Sequence, residues 1–303
     1  MFKMAIPASQ LETWSHEGSV SQSSQTYATV KNALEASTAP YADRNFKPFL
    51  QGSYGNDTNI WAESDVDVVI RYDGAYYYDL DALSQKERDA YHQRYPFSPT
   101  YAYRDFRGHV QTALTTAFGN SVKAGTKALK IEASGSRRSA DVVVAFQHRR
   151  YHTFNPPWDV NNFTEGITFL TSSGSQIDNF PSQHSDNLTI KHQATSNRFK
   201  PTVRIFKNMR TRLVADKKLA GDIAPSYYIE GLLYNVPNDN FVPDEGERVY
   251  NILKWLDDTK DKTKFVCANR MYYLFWDNSQ VCWPRANGEA FMAAIVELWN
   301  NWS

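Results

Sequence analysis

Three aspartates stand out by type and spacing. Asp65 and Asp67, in "SDVDVVIRY", sit one residue apart at the head of an apolar run, and Asp141 opens a second such run, "ADVVVAF". On a β-strand, residues i and i+2 project from one face, so Asp65 and Asp67 stand side by side. Two carboxylates held together on a stiff element repel each other, which costs stability unless a cation offsets it. Mg²⁺ suits that place because it takes carboxylates together with phosphate oxygens and keeps some of its waters. If the two strands are neighbours, Asp65, Asp67 and Asp141 converge. Such a trio can hold two ions ~3.5–4 Å apart, activating an attacking oxygen and stabilising the leaving oxygen in phosphoryl transfer. Just upstream, Gly52-Ser53 offers a tight turn whose backbone N–H groups and hydroxyl can receive a phosphate. The bland alternative is an edge strand with its acids in water; the adjacent Gly-Ser and the third acid count against it.

The elements that must position these groups can be read from periodicity. Ser19 to Ser37 has Val20, Tyr27, Val30, Ala33 and Leu34 at helical spacing. "FKPFLQ" (Phe46 to Gln51) is a short apolar run into the Gly-Ser turn, and Ser64 to Tyr72 has strand composition. Tyr76 to Tyr95 reads as a mixed insertion with a helix at Ser84 to Arg94, and Tyr103 to Phe118 as a helix. "KALKIEA", the turn-rich "SGSRRS" and "ADVVVAF" make a hairpin. Pro156-Pro157 marks a break, which divides the chain into a core at 1–155 and a mostly helical lobe at 156–303. Thr171 to Lys200 is polar and aperiodic, as a functional or mobile loop would be. Helices follow at Pro201 to Leu219, at Pro225 to Asn235 with Pro in the first helical position, in "EGERVYNILKWLDDTK" and in "NGEAFMAAIVELWNNW".

Composition narrows the field. At 303 residues the chain admits one large domain or two moderate lobes. Lys+Arg and Asp+Glu balance at 33 each, which argues against a long nucleic acid as partner, because phosphate neutralisation carries most of that affinity. Small anionic ligands stay open. Cys267 and Cys282 have no metal-type spacing and read as reduced thiols. The N-terminus lacks the apolar core of a signal peptide, and no run is long enough to span a membrane. The expected location is cytoplasmic, and the sequons at Asn162, Asn187 and Asn301 are then chance matches.

"GS…SDVDVVI" with a later strand-borne Asp resembles the polymerase-β-type nucleotidyltransferase superfamily. The wider set "LETWSHEGSVSQSSQTYATVKNALE", "FLQGSYGNDTNIWAESDVDVVI", "KPTVRIFKNMR" and "PSYYIEGLLYN" resembles the bacterial cGAS/DncV-like nucleotidyltransferases, within them the CdnE clade, over nearly the whole chain. The resemblance implies an α+β fold: a polymerase-β-type core with a mixed twisted sheet, a long N-terminal spine helix and a helical C-terminal lobe closing over the nucleotide site. It implies a cyclic oligonucleotide synthase that joins NTPs (ATP, UTP or GTP), two of them into a 3′,5′-linked cyclic dinucleotide, with release of pyrophosphate. The product would be a second messenger in antiphage (CBASS) defence, reaching its effector by diffusion, and the enzyme a monomer. Asp65, Asp67 and Asp141 would be the catalytic ligands of two Mg²⁺ ions, with Mn²⁺ able to substitute. Gly52 and Ser53 would contact the donor triphosphate, and Asp141 would help activate the 3′-hydroxyl.

Further positions carry open alternatives. Lys207 in "RIFKNMR" falls where the resemblance puts a triphosphate-binding lysine; otherwise it is a solvated helix lysine. Arg204, three residues earlier, shares its face and can assist. Ser226 opens a helix and can donate to a phosphate, or is only a cap; Tyr227 can stack on a base, or is core. Gln51, Asn56 and Thr58 flank the turn and can orient phosphates or ribose. His148-Arg149-Arg150 is either a solvated face or a neutraliser of triphosphate. In this clade a residue near the start of the helical lobe selects the base. Thr164 aligns there, with Asn161 or Asn162 as alternatives, and leaves pyrimidine against purine open. Two rival functions use the same residues differently: a template-independent RNA nucleotidyltransferase of the poly(A)- or CCA-adding type, and an inactive nucleotide-binding scaffold.

Overall fold

The computed structural model describes residues 6–18, 20–62, 65–96 and 99–302. In chain order the elements are α1 (Ala8–Ser15), α2 (Val20–Leu34), β1 (Phe46–Leu50), the single turn α3 (Gly52–Gly55), β2 (Val66–Asp79), α4 (Gln85–Arg94), α5 (Tyr103–Phe118), β3 (Val122–Ala124), β4 (Leu129–Ile131), β5 (Ala140–Tyr151), β6 (Phe163–Leu170), β7 (Gln176–Asn179), α6 (Pro181–Ala194), α7 (Phe199–Ala215), α8 (Ser226–Tyr234), α9 (Glu245–Asp258) and α10 (Arg285–Asn300). They form two compact units, one of residues 21–51 and 65–181, the other of 1–20, 52–64 and 182–303. Ser19 and Ser64, the first residues of the expected first helix and acid-bearing strand, lie outside the described residues.

The first unit is built on a mixed sheet in the order β1-β2-β5-β4-β3, with β6 pairing β5 and β7 pairing β6. β2 and β5 run parallel, and the other pairs are antiparallel. Val66, Val68, Ile70, Val142 and Val144 are fully buried, and α5 supplies part of their cover. Its Phe106 ring meets Tyr72 at 5.5 Å and Phe146 at 6.0 Å, and the Tyr103 hydroxyl donates to the Val144 carbonyl at 2.9 Å. α4 starts where the sequence places it because Ser84 and Glu87 form a capping box. α2 is tied to the β4–β5 connection by the Arg138 N–H, which donates to Thr26 Oγ1 at 3.0 Å. All but the first residue of α2 belong to this unit, and a separate helix, α1, precedes it in the other.

Two expectations change here. β2 does not end at Tyr72: it passes an irregularity between Tyr72 and Tyr76 and pairs with β5 as far as Asp79. Nor does Pro156-Pro157 end the sheet unit. β6 returns antiparallel to β5, from Tyr151↔Phe163 to Phe146↔Thr168, so the unit continues through Pro181 rather than stopping at 155.

The second unit is helical. α7 buries Phe199, Val203, Phe206, Met209 and Leu213 on one side. Each such side chain stabilises by about 1.5–3 kcal/mol when removed from water, so packing rather than helix propensity holds α7. Around it lie Leu11 of α1, Ile229 and Leu232 of α8, Ile252 and Leu256 of α9, and Phe291 and Ile295 of α10. The expected loop at Thr171 to Lys200 is instead ordered into β7 and α6. α6 buries only His184 and Leu188, so it has no apolar stripe to read; its sole helical signal is Pro181 at the first position. Among the described residues no helix is long and apolar enough to cross a membrane.

Candidate active site

The acids come from the first unit. Val66↔Ala140 and Asp67↔Asp141 are direct partners on the parallel pair β2 and β5. In-register neighbours share a face ~4.8 Å apart, so Asp67 and Asp141 are side by side, opposite the buried valines. Asp65 precedes β2 and is exposed. Its carboxylate accepts a short hydrogen bond from Ser139 Oγ and lies 3.7 Å from Lys130 Nζ. Lys130 itself sits opposite Asp141 on β4. Burial pushes the Asp141 carboxyl above its usual range, and the Asp65 charge pushes the same way, against a smaller pull from Lys130. This is the repulsion anticipated from the sequence, now between Asp65 and Asp141.

The convergence is incomplete. Among the described residues, no three His, Cys, Asp or Glu side chains are gathered closely enough to hold a metal ion, and Asp65 is engaged by Ser139 and Lys130. The donor chemistry still fits a hard divalent ion. The ligands on offer are carboxylate oxygens whose mutual repulsion such an ion offsets. Beside them Gln51, whose N–H donates to the Asp67 carbonyl at 2.9 Å, ends in a buried side-chain oxygen, Oε1, that has no hydrogen-bond partner among the described residues.

The Gly-Ser turn is α3, in the second unit. Gly52 has φ +70°, a left-handed conformation that favours glycine. The turn is closed by Asn56 N–H on the Gly52 carbonyl (3.1 Å) and Thr58 N–H on the Ser53 carbonyl (2.9 Å). Behind it, α7 presents Arg204, Lys207 and Arg210 at a spacing of three. Arg204 donates to the carbonyls of Ser15 (2.5 Å) and Asp57 (2.6 Å). Lys207, fully buried, donates to the Thr58 carbonyl at 2.9 Å. Arg210 donates to the Ala224 carbonyl (2.9 Å) and to Ser226 Oγ (3.3 Å). Lys207 is therefore not a solvated helix lysine. Ser226 is not the cap either, since Pro225 holds that position and Ser226 is the first helical residue.

Sequence reasoning missed Arg210 and Glu230. The signal for the first was the i, i+3, i+6 run of cations; for the second, a lone acid inside an apolar helix. Asn56 and Thr58 do not line a ligand surface: both are buried, and both donate to Glu230. Tyr227 has one face covered by His184, stacked at 4.7 Å and 18°, and its hydroxyl accepts from Asn269 at 2.9 Å. That is the core alternative, with one face lost to any base.

Two sequence expectations are moved away from the acids. Thr164 is on β6, not at the head of a helical lobe, and pairs with Arg150. Its hydroxyl bonds His152 Nε2 at 2.8 Å. Arg150 is nine residues beyond Asp141 on β5, up to roughly 30 Å along an extended strand, so Thr164 pairs toward the far end of β5 from Asp141. Asn161 and Asn162 precede it and lie outside the strand. His148, Arg149 and Arg150, seven to nine residues beyond Asp141 on the same strand, are used internally. His148 is buried against Thr168 (3.0 Å), Arg149 lies over the Tyr76 ring (3.8 Å), and Arg150 pairs with Asp79 (2.9 Å).

Comparison with known proteins bears on both units. A profile of the cGAS/DncV-like nucleotidyltransferase C-terminal helical domain matches residues 186–300. The chain is 35% identical over 304 residues to the cyclic nucleotide synthase CdnE01 of Staphylococcus haemolyticus, covering 99% of this chain and 100% of that one. It is 36% identical over 303 residues to a cyclic UMP-AMP synthase of Rhodothermus marinus, covering 99% of each. The solved structure of the Rhodothermus marinus CdnE c-UMP-AMP synthase with Apcpp and Upnpp superposes with a TM-score of 0.85 at 34% identity, covering 98% of each chain.

Proposed function

Because the chain belongs to the CdnE branch of the cGAS/DncV-like nucleotidyltransferases, we propose that it joins two nucleoside triphosphates into a 3′,5′-linked cyclic dinucleotide. The observation that carries this reading is the in-register placement of Asp67 and Asp141 on adjacent parallel strands, with Asp65 charged close enough to raise Asp141. In each of two steps a 3′-hydroxyl oxygen bonds to an α-phosphorus, the bond to the β-phosphate bridging oxygen breaks, and pyrophosphate leaves. Asp141, its carboxyl raised by burial, is suited to accept the hydroxyl proton. Asp65, Asp67 and Asp141 would hold the divalent ions, Mg²⁺ or Mn²⁺, which when bound polarise the phosphate oxygens. The amides and hydroxyl of Gly52 and Ser53, with Ser226, receive the donor triphosphate. Lys207 adds fixed positive charge from beneath the turn, and Arg204 braces the same segment. Gln51 orients the substrate through its side-chain oxygen.

On this reading the product is a diffusible messenger that acts on an effector in antiphage defence. The enzyme works as a cytoplasmic monomer with no membrane and no long nucleic acid as partner. The even charge balance, 33 against 33, supports the last point. The test is mass spectrometry of products made from all four NTPs with Mg²⁺ or Mn²⁺ and no RNA. One cyclic dinucleotide mass with pyrophosphate is expected. A ladder of linear products, or a need for an RNA end, would make it a tailing enzyme instead.

The same assay tests the placement of Thr164. Thr164→Asn is expected to leave the base composition of the product unchanged and the rate within about twofold, since substitutions remote from a site move energies by about ±0.5 kcal/mol. A switch of base would put Thr164 back at the nucleotide.

A further inference from the structure

Glu230 lies on α8 with 2% of its surface exposed. One oxygen, Oε1, accepts from the Thr58 hydroxyl at 2.5 Å. The other, Oε2, accepts from His184 Nε2 at 2.7 Å and Asn56 Nδ2 at 3.4 Å. Burial pushes this carboxyl up, but the His184 bond and charge, the Lys207 charge and the Thr58 bond together hold it below the usual range. An interior carboxylate is expensive, and removing it in favour of apolar packing often stabilises a protein. A buried charge of this kind therefore calls for a function beyond packing.

What it holds is the back of the Gly52–Ser53 turn. Asn56 and Thr58 are the two residues whose backbone N–H groups close α3 on Gly52 and Ser53. Both also give a side-chain donor to Glu230. Asp57 between them is fixed separately, by Arg204 on its carbonyl (2.6 Å) and Lys200 on its carboxylate (2.9 Å). We propose that Glu230 is a positioning residue for the triphosphate-binding turn: through Asn56 and Thr58 it sets the angle at which the Gly52 and Ser53 donors meet the phosphates. A site of this kind needs its donors held to about 0.5 Å, and buried partners behind the contacting residues supply that precision. The inference rests on the assignment of that turn to the donor triphosphate made above.

Thr58→Val keeps the shape and removes one hydroxyl. Glu230→Gln keeps an oxygen for Thr58 but loses the charge, and Glu230→Leu loses both. Affinity is read directly by calorimetry with the non-hydrolysable α,β-methylene analogues of ATP and UTP, alongside KM, kcat and melting temperature. Thr58→Val is expected to weaken analogue binding at least fivefold and to raise KM by a similar factor. Glu230→Gln should be milder and Glu230→Leu at least as severe. The Thr58→Val/Glu230→Gln pair should lose no more than its worse member. If folded Thr58→Val binds the analogues as wild type does, Glu230 is only structural and the proposal falls, even if the melting temperature drops. If Glu230→Leu does not fold, Thr58→Val alone decides. If wild type binds the analogues but makes no cyclic product, the reaction assignment fails while the positioning result stands; if wild type binds neither, both fail.

Discussion

Asp141→Asn is expected to lower the rate of nucleotide joining by ~10³-fold or more while leaving the protein at least as stable as wild type. The rate loss follows from the stabilisation of transition-state charge by a bound ion, several kcal/mol, at about 1.4 kcal/mol per decade. The stability result follows from the electrostatics of the sheet. Asp141 is half-buried in register with Asp67, and both burial and Asp65 disfavour its charged form. A neutral amide of the same shape removes that penalty. Relief of that penalty is expected to hold the melting temperature at or above the wild-type value. Mg²⁺ should raise the wild-type melting temperature through preferential binding to the folded state and the variant's much less. Thermal melts with and without Mg²⁺, run beside the product assay, read both effects. A variant that keeps a tenth of wild-type activity would remove Asp141 from the chemistry. One that melts well below wild type would make it a structural residue.

Opposed demands of this kind explain why the acids were legible in the sequence. A carboxylate heading a run such as Val142–Val144 violates local folding logic, and such violations concentrate at functional sites. The surrounding elements were legible for the converse reason. α5 has Phe106, Val110 and Leu114 at helical spacing and α4 carries a capping box, so local pattern and tertiary packing agree. α6 could not be read because it buries only His184 and Leu188; its fold depends on partners such as Glu230, 46 residues away from His184. The Pro156-Pro157 boundary failed for a similar reason. β6 joins the sheet by pairing across the turn that follows β5, and no local signal reports that a strand rejoins an earlier sheet. Thr164 was misplaced with it, since its distance from the acids depends on that register.

Lys207 shows the limit most sharply. In "RIFKNMR" it reads as a surface lysine or a phosphate ligand, because its partner, the Thr58 carbonyl, is 149 residues away. The two roles predict different losses. A solvent-facing phosphate ligand replaced by methionine costs nucleotide affinity and leaves the melting temperature unchanged. In the observed position, Lys207→Met leaves the Thr58 carbonyl without that donor and deprives buried Glu230 of a compensating charge. Removing one partner of a buried charge pair costs about 3–5 kcal/mol, so a fall in melting temperature of about 6–20 °C is expected, with weakened nucleotide binding as the turn loosens. Lys207→Arg should not rescue it, since a fully buried site has no room for the larger guanidinium. Lys207→Met combined with Glu230→Leu removes both charges. It should regain at least about 1 kcal/mol of stability relative to the sum of the single losses, as coupled sites do, while nucleotide binding stays weak because the anchors of the turn are still missing. Stability that returns in the double variant without affinity separates a lysine that supports the turn from one that grips the phosphates. An unchanged melting temperature for Lys207→Met would return it to the second role.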